Sequence, residues 1–560
     1  MRTNLAANPT FEVQPALPPV RNRSASARSG LVFAAYLALV LALQWRAGAV
    51  TAGFGEYPDE PGHYVTGLMV HDYLKAGLPS HPVSFAVDFY SHLPKVGLGH
   101  WPPLFYLTEA VWMLLFGVSR ASVLVLIALI AAALAWAVFR ETAKEFGFPA
   151  GLAAGALIAL LPIVRWSDNL IMTDTLVALL GLLACCAWGR YLDSGRIADS
   201  LWYGLLAAGA LLTKSSAAYV VLVPLAATLL ARRLDVWKKA ATWLPVALIG
   251  AMVLPWFAIS RRLAVIGLLA WPSAGQTLSR LADFPGMIAG AVGLPLVALA
   301  LVGIGARLAG APRITGRWAA VLAQPFAVLA VLLVSPVGIE PRYLIPALPA
   351  LLILACAGVH WIDSKLPATA FASDRRIAVA LIVCGLVSVA VAAPSPYRGR
   401  ADGVDELVSA ILKVPGDPVL LVARSDGRII AEIASRERGR PGVLCIRAGK
   451  LLADTDWNGI GYSRRFSAPA AVMSVLEDVP VDIVVAHPVP STDCSPHELL
   501  LLQAIQLWPQ RWQPLGAWPK SSPEYAAWRL IGDAGRPRHL PPQLLDQLRD
   551  RLGPLYKQRP

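Results

Sequence analysis

Trp101-Pro102-Pro103-Leu104-Phe105-Tyr106-Leu107-Thr108-Glu109-Ala110-Val111-Trp112-Met113-Leu114-Leu115-Phe116-Gly117 is the stretch on which the topology of this chain turns. It is apolar enough to pass for a membrane span, yet it begins Trp-Pro-Pro and carries Glu109. If it crosses the bilayer, every later loop changes sides. Laid in the interface instead, it belongs to a long first loop, 50–119. Arg140/Lys144, Arg190/Arg196, Arg232/Arg233/Lys238/Lys239, Arg307/Arg313/Arg317 and Lys365/Arg375/Arg376 then all share the side of the N-terminus. Lys214, Arg342 and the pair Arg261-Arg262 are left opposite. That asymmetry is what the positive-inside rule expects, with the N-terminus cytoplasmic. The reading makes 101–117 a juxtamembrane helix.

Around it, runs near the roughly 20 apolar residues that cross about 30 Å of hydrocarbon fall at 31–49, 120–139, 150–166, 175–190, 199–213, 216–231, 241–260, 286–306, 318–335, 343–362 and 377–393. Eleven spanning helices are expected, preceded by a polar cytoplasmic tail, 1–29, in a transmembrane domain over 30–393. Ala47-Gly48-Ala49 faintly resembles a signal-peptidase site, but an uncleaved first helix is the preferred reading. The composition agrees: 56% of the 560 residues are hydrophobic and 15% charged, with a mean hydropathy of +0.56. Unbroken apolar runs argue against a β-barrel. The net charge of +13 lies in short clusters between those runs, as orientation signals do, so no nucleic-acid partner is implied.

From Pro394 the composition turns ordinary, and 394–560 is expected to form a small extracytoplasmic α/β domain. Strands are predicted at 419–423, 443–447 and 481–486, and helices at 427–437, 470–477 and 497–507. No G-x-G-x-x-G or P-loop element appears. Cys185, Cys186, Cys356 and Cys384 lie in apolar runs and read as small buried hydrophobes. Cys445 and Cys494 are free to pair if their region is extracytoplasmic.

Acidic groups stand out at two points of the same membrane face: Asp59-Glu60, in Glu56-Tyr57-Pro58-Asp59-Glu60-Pro61-Gly62-His63-Tyr64, and Asp174, at the mouth of the helix beginning near Thr175. Alone, Asp59 reads as a turn residue and Asp174 as a helix N-cap. Together at one surface they suggest chemistry, because ionisable groups at such depth are usually functional. Lys214 and Arg342 end two apolar helices on that face. They either snorkel or bind a lipid-linked phosphate, to which Arg offers forked donors and Lys a point charge. Five of the nine histidines, His63, His71, His81, His92 and His100, crowd into 51–100. The spacing of His63 and His71 does not match a metal-binding H-x-x-x-H face, so the five read as loop histidines; a divalent ion held by His and a carboxylate is the alternative, and no metal or cofactor is assigned.

In their order, these residues resemble the GT-C glycosyltransferases, in particular the branch of protein O-mannosyltransferases and lipid A aminoarabinose transferases (glycosyltransferase family 39-like). Asp59-Glu60 with His63-Tyr64 matches the acidic pair of the first loop; His100-Trp101-Pro102-Pro103-Leu104 is similar to the start of the juxtamembrane helix, with Trp101 inserted. Thr173-Asp174, Leu211–Lys214 and the run from Arg342-Tyr343 to Pro349 match the later elements, and the likeness covers about 31–393. The resemblance implies a polytopic inner-membrane enzyme that transfers a sugar, with inversion, from a polyprenyl-phosphate donor to a lipid, protein or polysaccharide acceptor at the extracytoplasmic face. It makes Asp59 the general base and gives Glu60 and Asp174 the positioning of the acceptor or stabilisation of an oxocarbenium-like sugar. Lys214 and Arg342 would bind the departing phosphate, with His63, Tyr64, His100 and Tyr343 beside the substrates. Two other classes compete: a flippase of lipid-linked sugars, which usually shows inverted repeats and mid-membrane charges, and an inactive relative acting in envelope assembly.

Overall fold

The apolar runs of the sequence fold as helices because hydrocarbon leaves the backbone no other partner for its polar groups. The computed structural model describes residues 23–531 apart from 56, 98, 265–270, 310–313, 337, 368–371, 392–401, 438–441 and 455–460. Most of the tail at 1–29 therefore lies outside the described residues, as does the chain from 532. Among the described residues, six helices are by length and apolarity fit to cross a membrane, among them Arg120–Phe146, Asp174–Ser194 and Gly316–Val334. The number rises to eight if each of two bent pairs counts as one span: Phe148–Leu160 with Pro162–Asp168, bent by 62°, and Ala274–Val292 with Leu294–Ala309, bent by 111°. The other runs expected to span are shorter or more charged. Ile197–Thr213 has 17 residues, and Ser373–Val391 starts with Asp374, Arg375 and Arg376. The chain is a multi-pass helical membrane protein.

Leu104–Phe116 is a separate helix of 13 residues, about 20 Å long and too short to cross. Phe105, Tyr106, Glu109, Ala110 and Met113 form its buried face, packed on helix Asp59–Lys75. Leu107, Val111, Leu114, Leu115 and Phe116 are exposed on the other face. The two helices approach closely at Gly67, where a Cβ would collide with the Glu109 carboxyl group. Gly117, at φ 89°, ends the helix, and the Ser119 side chain caps Arg120–Phe146 by accepting from the Ser122 N–H.

The C-terminal region holds strands β1 (Val419–Val422), β2 (Leu444–Arg447), β3 (Ala453–Asp454), β4 (Ser463–Arg464), β5 (Ile483–Ala486), β6 (Trp512–Trp518) and β7 (Tyr525–Leu530). The main sheet runs β2-β1-β5-β7-β6, and β3 pairs with β4 separately. β1 is parallel to β2 and β5, with Leu420 opposite Cys445 and Ile483; β7 is antiparallel to β5 and β6. Helices Asp426–Arg436, Pro469–Asp478 and Pro496–Leu507 lie within two residues of the positions predicted for them. The β6–β7 hairpin and helix Val404–Ile411 were not predicted. Cys445 and Cys494 are both free.

What positions the site is a shared core. Ile429, Ile430 and Ile433 of helix Asp426–Arg436 pack in one cluster with Tyr64, Val65 and Leu68 of helix Asp59–Lys75, with Phe105, and with Ile483 and Val485 of the sheet. The other sheet face, including Leu421, Ile446 and Val484, has its own core with helices Pro469–Asp478 and Pro496–Leu507. The first loop is thus held between the membrane helices and the C-terminal sheet.

Candidate active site

Tyr57-Pro58-Asp59-Glu60-Pro61 starts helix Asp59–Lys75. Prolines suit a first helical turn, where no N–H partner is lost, and carboxylates there favour the positive end of the helix dipole. Successive side chains on a helix diverge by about 100°, so neighbours in sequence need not share a site. Asp59 and Glu60 do not.

Glu60 points inward and is 0% exposed. Its Oε1 accepts from Arg120 Nε at 2.8 Å, from Arg120 Nη2 at 2.7 Å and from the Ile171 N–H at 3.3 Å; the Gly55 N–H donates to Oε2. Arg120 also donates to the carbonyls of Ala49, Ala52 and Asn169. The pair thereby ties the entry of the first loop to the segment that precedes Asp174.

Asp59 turns the other way. Arg342 Nη2 donates to its Oδ2 at 2.8 Å. Burial pushes the Asp59 carboxyl up, but Arg342 outweighs it and holds the group below the ordinary carboxylate value, so it is ionised at neutral pH. Arg342 sits in a 3-10 helix, Pro341–Ala347, a form favoured where Pro346 denies the backbone an α-helical donor. This segment leads into helix Leu348–Asp363, which meets Leu294–Ala309 where Gly303 and Gly358 let the backbones touch.

Arg342 gathers the rest. Its Nε donates to Glu340 Oε2 at 3.0 Å, and its guanidinium stacks over the Tyr57 ring at 4.5 Å and near the Tyr343 ring at 5.1 Å. The Tyr57 hydroxyl donates to Glu340 Oε2 at 2.6 Å; burial pushes that hydroxyl up, so it stays a donor. Asp174, at the first position of helix Asp174–Ser194 and with Thr173 as a cap that makes no side-chain bond, accepts from Lys214 Nζ at 2.7 Å. Lys214 is the extended residue, φ −159° and ψ 138°, that ends helix Ile197–Thr213. Its ammonium lies 4.9 Å from the Tyr343 ring centroid. Asp174 Oδ2 is 3.9 Å from Arg342 Nη1.

The structure therefore brings Asp59, Asp174, Lys214, Arg342 and Tyr343 together, and leaves Glu60 and Tyr64 out. Tyr64 is fully buried, its hydroxyl donating to the Val118 carbonyl at 2.5 Å. His63 flanks the cluster. Its Nδ1 is 2.8 Å from the Tyr106 hydroxyl and its ring lies 4.3 Å from that of Trp101. Burial pushes the imidazole down to about 3, with Asp59 opposing. His100 stands beyond Trp101, ring centroids 5.8 Å apart.

Tyr57, Glu340 and Arg120 were missed by sequence reading; so was Lys95. Lys95 comes from the first loop and its ammonium reaches the start of helix Asp426–Arg436 at Gly427, beside the Asp426–Arg447 ion pair. Burial, and then Arg447, lower the Lys95 ammonium. Its signal was a cation, one of two with Lys75, among the histidines of that loop. Among the described residues, no three His, Cys, Asp or Glu side chains converge as metal ligands; the carboxylates here are met by Arg and Lys.

The family model of dolichyl-phosphate-mannose-protein mannosyltransferases matches residues 100–259. No curated protein matches in sequence. Among solved structures, ArnT from Cupriavidus metallidurans in the apo state is similar, with 14% identity and a TM-score of 0.59 over 91% of this chain and 100% of that one. The same protein bound to undecaprenyl phosphate gives 13% and 0.57 over 91% and 99%. The Archaeoglobus fulgidus oligosaccharyltransferase tethered with an acceptor peptide gives 14% and 0.51 over 81% and 69%. At such identities the likeness is one of fold, and the fold is that of the GT-C membrane glycosyltransferases.

Proposed function

We propose that this GT-C-fold membrane protein transfers a sugar, with inversion, from a polyprenyl-phosphate donor to an acceptor hydroxyl or amide at the extracytoplasmic face of the inner membrane. The observation that carries the reading is the convergence of Asp59, at the start of a first-loop helix, with Asp174, Lys214 and Arg342, at the ends of apolar helices, from four distant segments. The fold adds weight: one structure that shares it holds undecaprenyl phosphate, and another an acceptor peptide. The distribution of basic clusters supports an orientation with this end of the bundle away from the cytoplasm.

In the reaction, the acceptor heteroatom attacks the anomeric carbon while the bond from that carbon to the phosphate oxygen breaks. The electron pair leaves with the phosphate, and the acceptor proton passes to Asp59 as attack proceeds. Arg342 and Lys214 meet the negative charge that grows on the phosphate. Asp174 faces the positive charge that develops on the sugar. Arg342 cannot serve the phosphate and Asp59 at full strength together, so donor binding draws it off Asp59 and leaves a stronger base. The Glu60–Arg120 pair holds the loops in register and touches no substrate.

The test is turnover of polyprenyl-phosphate sugars by purified protein, wild type against Asp59→Ala. A donor is expected to be cleaved or its sugar transferred, and the variant to lose about 10²–10⁴-fold in rate. Absence of turnover with every donor, or full activity in Asp59→Ala, overturns the proposal. For sidedness, a cysteine at position 144 is expected to be labelled only from the cytoplasm.

A further inference from the structure

Arg342 Nη1 and Asp174 Oδ2 face each other across 3.9 Å. Both are buried, and neither has a hydrogen-bond partner. The other polar side-chain atoms of these two residues are committed: Arg342 Nε to Glu340 and Nη2 to Asp59, Asp174 Oδ1 to Lys214. A buried donor and acceptor that face each other, too far apart to hydrogen-bond directly, are both satisfied by one group set against them. The group must accept from a guanidinium and donate to a carboxylate at once. A phosphate oxygen accepts but has no proton to give, and Asp174 repels it. An ammonium donates but cannot accept, and Arg342 and Lys214 repel it. A hydroxyl does both.

The surroundings fit a sugar. The Tyr57 and Tyr343 rings flank the guanidinium and offer flat faces to the C–H side of a pyranose or furanose. Arg342 and Lys214 are also the cations assigned to the departing phosphate, so the hydroxyl belongs to the donor, and the one adjacent to the anomeric carbon is on C2. We propose that Arg342 Nη1 and Asp174 Oδ2 form the subsite for the C2 hydroxyl of the donor sugar, selecting neutral hydroxylated sugars over those with an ammonium at that position. The inference rests on the glycosyl-transfer reading above. It adds a ground-state contact that strengthens as positive charge develops on the ring, as hydrogen bonds to a sugar 2-hydroxyl do in glycoside chemistry.

The experiment uses the full-length protein in detergent and polyprenyl-phosphate-linked mannose, glucose, galactose, arabinose and glucosamine. If none is turned over, the glycosyl-transfer reading itself falls. If a neutral sugar is turned over, its 2-deoxy analogue is expected to lose about tenfold or more in kcat/KM on the wild type, the usual scale for a hydrogen bond to a charged group, and the 2-amino-2-deoxy analogue at least as much. In Asp174→Asn the gap between parent and 2-deoxy donor should shrink to about threefold or less, and Arg342→Lys, which keeps the charge without the fork, should fall between. Equal use of parent and 2-deoxy donors by the wild type overturns the subsite while leaving the transferase intact. So does turnover of the glucosamine donor alone.

Discussion

Asp59 and Glu60 are adjacent in sequence, yet they anchor two buried ion pairs of opposite character. Among the described residues, no buried side-chain polar atom of Glu60 or Arg120 lacks a hydrogen-bond partner; in the second pair Arg342 Nη1 lacks one, as does Oδ2 of Asp174 facing it. The first pair is closed on itself by backbone carbonyls and N–H groups of the loops at 49–55 and 169–171. The second is open toward the groups it has yet to meet. A saturated charge pair reports on how the fold is held, and an unsaturated one on what the fold is for. Identity and position in sequence do not distinguish the two; the accounting of hydrogen bonds does.

The comparison breaks if the two pairs respond alike to substitution. Arg120→Met strands the buried Glu60 carboxylate and is expected to lower unfolding free energy by about 3–5 kcal/mol. Asp59→Asn leaves Arg342 a neutral acceptor of the same shape as well as Glu340, and should stay within about 1 kcal/mol of wild type even though transfer fails. Denaturant unfolding in micelles measures both, and comparable losses would erase the distinction.

A second expectation concerns pH. His63 is held neutral down to about 3 in the folded protein, whereas the unfolded chain takes up the proton near 6.5. The unfolded state therefore binds more protons below pH 6.5, and stability falls with pH through that window. Between pH 7 and 5 the wild type should lose about 2 kcal/mol more than His63→Gln, since 1.5 pH units lie below the unfolded value. The smallest effect belongs to Tyr57→Phe. It removes the hydroxyl from Glu340 but keeps the ring under Arg342, so a cost of about 0.5–1.5 kcal/mol in stability is expected.

Much of the cluster was legible in sequence, because Asp174, Lys214 and Arg342 each mark the end of an apolar helix and the charge asymmetry puts those ends on one side. The partners that orient Arg342 were not. Tyr57 and Glu340 are 283 residues apart, and no local pattern links them. Glu60 was grouped with Asp59 because adjacency in sequence looks like adjacency in space, which a helical start denies. The parallel strands were readable from their short apolar runs. β6 was hidden by Pro514 and Gly516, where the register shifts, and the 111° bend between Val292 and Leu294 by an apolar run that continues through it.

One consequence follows from helix Asp426–Arg436 lying against helix Asp59–Lys75. A ribosome adding roughly 5–20 residues per second reaches that helix about 20–70 s after finishing the earlier one. For that interval the newborn first loop carries an apolar face with nothing to cover it. The Glu60–Arg120 clamp bridges only 60 positions, so it can close within seconds of synthesis. The same ion pair that stands aside from the chemistry is thus the brace available to the loop while it waits for its cover.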